Sequence, residues 1–337
     1  PAPTHCSRRL TGITPLKRRR GLPQRPVKLT GNSGRCSSPA NRGRAAAFLA
    51  GRGVGCIPRR AVAGDVGTIA AAVMAATAES DLVLLFGGVS KGPSDGTAGA
   101  IGSVGEVLFH GVAMQPGRPT LAGRVNGVPV LALPGYPFAA GVVLRELVAP
   151  LLSVWGFPPA VQFPTALVEL ARPVVSEVGV DEFVPLTLGS VGDRWVAFPR
   201  ARTPASHLAD IGPHAFLHVP GGVEGYETGE VREVRLTTDP DVVGRTLVVA
   251  GPGGETILAR FAPHLRGTDL VFEPVGGAAG AAIAMLQSGT CHFAALDERG
   301  GVPRLLCTGD LCSDPRVRAV IGAAGAIGLP VEFVSTG

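Results

Sequence analysis

Three short loops gather the residues able to handle an anionic ligand. The first, Gly87–Asp95 (GGVSKGPSD), follows the apolar run Asp81–Phe86. A glycine pair at the carboxyl end of a buried strand lets backbone N–H groups approach an anion closely. Ser90 adds a hydroxyl donor beside Val89, and Gly92 continues the loop. Asp95 offers a carboxylate suited to Mg²⁺, a hard cation that takes oxygen ligands alongside phosphate oxygens. A plain structural turn is the competing reading. The second loop, Val112–Gly123, carries Gln115, Pro116, Gly117, Arg118 and Pro119. Its prolines and glycine fix a rigid turn. Arg118 projects from that turn and could hold a phosphate through two parallel N–H bonds; a solvated surface charge is the alternative. The third loop, Leu133–Ala140 (LPGYPFAA), holds Pro134, Gly135, Tyr136 and Pro137. It passes from a strand into a helix, whose N-terminus favours negative charge. Pro137 suits the first helical position.

The elements that must position these loops read as alternating helices and buried strands. Thr68–Glu79 is Ala-rich with helical spacing of Ile69, Val73 and Met74. Asp81–Phe86 is a continuous apolar run, as in a parallel strand covered on both faces. Val107–Phe109, Pro119–Arg124 and Val128–Leu133 read as further strands, Ala45–Ala50 as a short helix and Phe138–Trp155 as an amphipathic one. The pattern predicts an open three-layer α/β domain over residues 27–157. In such sheets ligands bind in a crevice beyond the carboxyl ends of the strands, where all three loops are expected to point. Pro158–Pro164 is a proline-rich break. Short alternating strands (Ala166–Leu170, Glu182–Thr187, Arg194–Ala197, Val231–Leu236) then predict a small β domain over 158–237. From Thr246 the α/β alternation resumes and gives a second α/β domain over 246–337.

Charge is unevenly spread. The chain of 337 residues has net charge +5, yet residues 1–60 hold 14 Lys or Arg and no acid. The other 17 bases face all 26 acids, so the folded body is acidic and the positive charge sits at one end. Residues 1–26 read as a disordered basic tail. A nucleic-acid arm is the alternative, but no recognition motif supports it. Aromatics at 5% exclude a stacking platform for single strands. The six cysteines form no CxxC and no zinc spacing, which predicts reduced thiols in a cytoplasmic protein. No run of 18 apolar residues lacks a charge or strong breaker, so no membrane span is expected.

Taken in register, Gly87–Asp95, Val112–Gly123 and Leu133–Pro137 resemble the third domain of molybdopterin molybdenumtransferases, the MoeA and gephyrin type. The resemblance extends back to Asn41–Arg42, like the family's SNR helix start, and to Asp65, where the family has an acidic residue after its second strand. It extends forward to Arg172–Gly189 and Gly221–Glu230, similar to the family's C-terminal β domain. The forms AMQPGRP and LPGYP resemble a subgroup fused to a periplasmic-binding-protein-like domain, which residues 246–337 fit.

The resemblance implies insertion of molybdate into adenylylated molybdopterin, with Mg²⁺ and release of AMP. By position, Asp65 and Asp95 are implied to hold Mg²⁺ or polarise the phosphoanhydride. Gly87, Gly88, Val89 and Ser90 are implied to cradle phosphate or pterin, and Arg118 to stand where the family has a lysine. Ser206, in TPASHL, aligns loosely with a serine of the β domain. The departures are specific. The family's TGDE segment is missing or eroded, Gln115 cannot supply a lysine's charge, and Ala295–Leu296–Asp297 replaces HLLD. The family's two N-terminal domains are absent, which implies a homodimer or a partner chain supplying them. Two functions follow: a transferase, or a non-catalytic protein of that lineage that binds molybdopterin or an oxyanion as sensor or carrier. For residues 246–337 the implied ligand is molybdate or tungstate, or none.

Overall fold

The computed structural model describes residues 27–31, 39–58, 65–90, 96–159, 164–200, 212–261, 263–264, 268–296 and 304–335. The elements, in chain order, are β1 (Val27–Gly31), α1 (Pro39–Ala50), β2 (Cys56–Pro58), α2 (Val66–Thr77), β3 (Val83–Phe86), α3 (Thr97–Val104), β4 (Glu106–His110), β5 (Met114–Gln115), β6 (Leu121–Val125) and β7 (Val128–Leu133). A helical run follows, with α4 (Pro137–Val143), a π-helical turn (Leu144–Val148) and α5 (Ala149–Val154). Then come β8 (Thr165–Leu170), β9 (Val174–Val175), β10 (Asp181–Val191), β11 (Arg194–Pro199), β12 (Ala215–Val219), β13 (Gly225–Tyr226) and β14 (Val231–Leu236). The chain ends in α6 (Pro240–Arg245), β15 (Thr246–Ala250), α7 (Gly254–Phe261), β16 (Val271–Val275), α8 (Ala279–Gln287), β17 (Phe293–Leu296), β18 (Arg304–Thr308), α9 (Pro315–Ala326) and β19 (Val331–Val334). Two compact units result. One holds the chain to His110 with Thr120–Gly135 and Val143–Ala160; the other holds Gly111–Pro119, Tyr136–Val142 and Val161–Gly337.

The first unit is built on a six-stranded sheet in the order β2-β1-β3-β7-β6-β4. Strands β2, β1, β3 and β7 are parallel, and β6 runs antiparallel to both β7 and β4. β3 is central and buried along its whole length, which is why its sequence is continuously apolar. Val83 and Leu85 pack with Ile69, Val73, Ala100 and Ile101 of α2 and α3. Leu84 and Phe86, turned the other way by the two-residue alternation of a strand, are buried as well. From β1 the chain crosses to β2 on one side; from β3 it moves on to the other. The switch in direction lies at the carboxyl ends of β1 and β3, where open α/β sheets bind ligands.

In the second unit β10 pairs with β12 through its first half and with β11 through its second. The strands thereby close into a ring, β11-β8-β14-β12-β10, with β5 added in parallel outside β10. The small β domain expected from the sequence is present, and its strands form a barrel-like ring. Its interior is filled by Val168, Leu170, Val184, Leu186, Leu188, Leu217 and Val234. The C-terminal sheet runs β16-β15-β17-β18-β19, with only β17 and β18 antiparallel to each other among its pairings. One face of this sheet (Val248, Ala250, Ala294) shares a core with Val191, Val196 and Phe198 of the β ring and with α8. The other face (Leu247, Val249, Phe293) packs on α7 and α9.

Several elements form where the sequence predicts none, α3, β12 and β18 among them. α3 has the composition TAGAIGSV, whose two glycines weaken any helical signal. β12 and β18 also form where no strand is expected; both are five-residue runs whose burial comes from neighbouring strands. Among the described residues, Pro137–Val154 is the one helix long and apolar enough to cross a membrane by length and composition. It carries Pro150 and the charges Arg145 and Glu146, which pair with each other at 2.8 Å.

Candidate functional site

At the carboxyl edge of the first sheet, Gly31, Phe86 and Leu133 end β1, β3 and β7 side by side in register. The chain leaves β3 through Gly87 (φ +86°) and Gly88 (φ +70°). Two successive left-handed residues suit glycine, because a Cβ would crowd the following carbonyl. Gly87 N–H donates to Leu133 O at 2.9 Å and ties the loop after β3 to the end of β7. That amide is therefore in use, and an anion cradle here draws on the amides beyond it. Val89 is buried and Ser90 exposed. His110, at the end of β4, places Nε2 2.9 Å from Val89 O, so this ring nitrogen carries the proton and donates. His110 has no signal in the sequence, since its partner lies 21 residues away.

Asn41 is the second residue that sequence reading does not single out as a site. It stands on the first turn of α1 and is 1% exposed. Its Nδ2 donates to Gly135 O at 2.7 Å, across 94 residues. Its Oδ1 is shut from solvent with no hydrogen-bond partner among the described residues. Pro134 is buried and Gly135 half-buried in the loop that leaves β7. The structure thus brings Gly87, Gly88, Val89, Pro134 and Gly135 to one sheet edge, with Asn41 and His110.

Asp65 lies after β2, as the resemblance implies, and serves there as the N-cap of α2. Its Oδ1 accepts from Thr68 N at 2.8 Å. Hydrogen bonding from Thr68 holds the carboxyl below its ordinary value. Asp95, Gly92 and Ser206 lie outside the described residues. No three His, Cys, Asp or Glu side chains converge on a metal position among the described residues. Mg²⁺ is commonly held by one or two carboxylates together with waters and substrate phosphates. Of the two carboxylates implied here, Asp65 is the one among the described residues.

Gln115, Pro116, Gly117, Arg118, Tyr136 and Pro137 belong to the second unit. Met114 and Gln115 form β5, with Gln115 opposite Glu182 of β10. Gly117 is buried, whereas Gln115 and Arg118 are exposed. The Arg118 guanidinium pairs with Glu177 at 2.6 Å, so its charge already has a partner. Tyr136 is exposed, and Pro137 opens α4 as expected.

The remaining titratable groups of note are structural. His292 accepts from Val248 N through Nδ1 (3.0 Å) and donates from Nε2 to Ser190 O (2.9 Å). His214 Nδ1 lies 3.1 Å from Leu188 N and 2.9 Å from Leu188 O. Both are buried, packed histidines. Burial pushes the Cys291 and Cys307 thiols up to about 12, which makes them inert.

Residues 39–154 match the family model described as a probable molybdopterin binding domain. A molybdopterin molybdenumtransferase of Bacillus subtilis is 29% identical over 168 residues, 49% of this chain and 39% of that protein. Another, of Haemophilus influenzae, is 39% identical over 82 residues, 24% of this chain and 20% of that protein. The crystal structure of a molybdopterin biosynthesis MoeA protein from Pyrococcus horikosii aligns with TM-score 0.50 and 29% identity. It covers 64% of this chain and 55% of its own. The chain spans between a fifth and two fifths of the length of these curated relatives. The sheet-edge site therefore falls within a segment matching a probable molybdopterin binding domain, and over part of its length the chain is similar to proteins named molybdopterin molybdenumtransferases.

Proposed function

We propose that this chain binds adenylylated molybdopterin at the carboxyl edge of β1, β3 and β7 and acts in molybdenum cofactor biosynthesis. The observation that carries this reading is the left-handed glycine pair Gly87–Gly88. It is tied to Leu133 at the switch point of the sheet, inside the segment matched to the probable molybdopterin binding domain. In the reaction proposed, water cleaves the phosphoanhydride and AMP leaves. The two dithiolene sulfurs of molybdopterin then bond to the metal of molybdate, displacing one oxide that leaves as water with the two thiol protons, and molybdenum keeps its oxidation state. Such phosphoryl chemistry is driven by positioning and by fixed charge rather than by covalent steps on the protein.

The roles follow position. Gly88, Val89, Ser90 and Gly92 cradle phosphate or pterin, with Pro134, Gly135, Tyr136 and Pro137 forming the loop after β7. Asp65, Asp95 and Arg118 supply the charge. A phosphate binding to Arg118 must compete with Glu177, an exposed pair of small energy that a dianion can displace. Gln115, Pro116 and Gly117 shape the turn that presents Arg118, and Ser206 is assigned to the same ligand. The Mg²⁺ role of Asp65 and Asp95 belongs to this proposal. So does a homodimer or partner chain completing the site. For residues 246–337, a periplasmic-binding-protein-like origin is supported by the strand–glycine–helix passage from β15 through Gly251 into α7.

Calorimetry with adenylylated molybdopterin and Mg²⁺, followed by molybdate, tests the reading. AMP release that Asp95→Asn abolishes is the expected result. Binding without AMP release would identify the alternative, a molybdopterin-binding sensor or carrier. Absence of binding would overturn the ligand assignment.

A further inference from the structure

We propose that Asn41 is a ligand-binding residue of the sheet-edge crevice, its Oδ1 accepting an N–H from the pterin ring of the bound molecule. The inference rests on the pterin-binding reading above and assigns one edge of that ligand to one atom.

Three observations carry it. The first is placement. Asn41 belongs to α1, which follows β1, and it bonds to Gly135, which follows β7. β3 lies between β1 and β7 in the sheet. The hydrogen bond therefore ties the first turn of α1 to the loop after β7, on either side of the end of β3, where Gly87 and Gly88 turn. The second is orientation. Gly135 offers a carbonyl, an acceptor only, so the amide nitrogen of Asn41 must face it and the oxygen must face elsewhere. The flipped amide would set two oxygens against each other. The third is the orphaned oxygen. Asn41 Oδ1 is buried and meets no donor among the described residues. A buried acceptor without a partner is costly and calls for a reason in each case, such as a ligand that completes it.

The chemistry of the atom selects what it can take. An amide oxygen repels phosphate oxygens and accepts N–H or O–H. A pterin presents amino and ring N–H groups on its heterocycle, whereas its phosphate offers acceptors. The adenylate half also offers an amino group and ribose hydroxyls, but the segment holding Asn41 matches a probable molybdopterin binding domain, so the oxygen is assigned to the pterin, with the phosphate toward the amides beyond Gly87.

Calorimetry on the full chain with adenylylated molybdopterin, comparing wild type with Asn41→Ala, gives the test. The loss of one buried hydrogen bond should weaken binding about tenfold. Thermal unfolding without ligand should show a modest loss, because the substitution leaves Gly135 O without its donor, so the comparison is made on folded protein. An unchanged Kd in a folded variant overturns the assignment while leaving the pterin reading in place. No binding by wild type sinks both. A second measurement needs no variant: the Asn41 side-chain amide resonances of the wild-type chain should shift on titration with the same molecule. Resonances that stay put at saturation also overturn it.

Discussion

Asp65 shows how one residue can satisfy two accounts that a single substitution separates. Its carboxylate caps α2 through Thr68 N, and the resemblance also gives it charge-dependent work. Asparagine caps a helix as well as aspartate does, whereas alanine does not cap at all. Asp65→Asn should therefore keep the melting temperature and lose whatever depends on the charge. Asp65→Ala should lose both, which thermal unfolding and ligand calorimetry on the two variants would show. The pH dependence has a definite sign. The folded carboxyl is held below its unfolded value, so the cap stabilises above the unfolded pKa and weakens as pH falls through the folded one. The glycine pair can be picked out from sequence because it acts within a few residues of itself, while Asp65 and Asn41 stand out there only through the family resemblance. The bond of Asn41 to Gly135 and that of His110 to Val89 cannot be read there, because the partners lie 94 and 21 residues away and only the sheet brings them together.

At the scale of elements, the strongest sequence signals are those in which one segment decides its own state. The run Val83–Phe86 is apolar at every position, and the structure buries it on both faces. Val128–Leu133 and Val231–Leu236 form strands with the bounds the alternation predicts. α3 fails the same test, since its helix is supported by Ala100 and Ile101 packing into the core rather than by its own residues. The π-helical turn at Leu144–Val148 has no sequence signature either. Gly251 illustrates an element junction legible only in part. A glycine between strand and helix is expected, but its necessity comes from β17. At φ +114°, a Cβ on Gly251 would lie 2.4 Å from Ala295 O. Gly251→Ala should destabilise the C-terminal sheet by about 2–4 kcal/mol, as overpacking and left-handed strain combine. Urea unfolding followed by the fluorescence of Trp195 would read this, because Trp195 packs in the β ring of the same unit. A variant as stable as wild type would show that the junction has slack the structure does not reveal.

In the second unit, the β ring and the C-terminal sheet share a core, and one buried histidine joins them. His292 hydrogen-bonds backbone of β15 through Nδ1 and backbone of β10 through Nε2. Arg316 reaches Ser190 O as well, held in place by Asp314 at 2.5 Å. Burial, with Arg316 adding to it, lowers the His292 pKa to about 4, against 6.5 when exposed. Protonation would put a donor where Nδ1 must accept from Val248 N–H, so the folded state keeps the ring neutral. The unfolded chain takes up the proton first. Stability contributed by the neutral ring is thus complete above about 6.5 and declines as pH falls toward 4. Between pH 6.5 and 5 the loss amounts to about 1.5 kcal/mol, a range in which most carboxylates remain ionised. Urea unfolding at those two pH values should show this slope in the wild type and a much smaller one in His292→Gln. Because the ring bonds both sheets, the loss should appear in probes of each sheet together, as one cooperative transition. If only the C-terminal sheet loosened at pH 5 while the β ring held, the shared core would be a contact between independent domains and not a common folding unit.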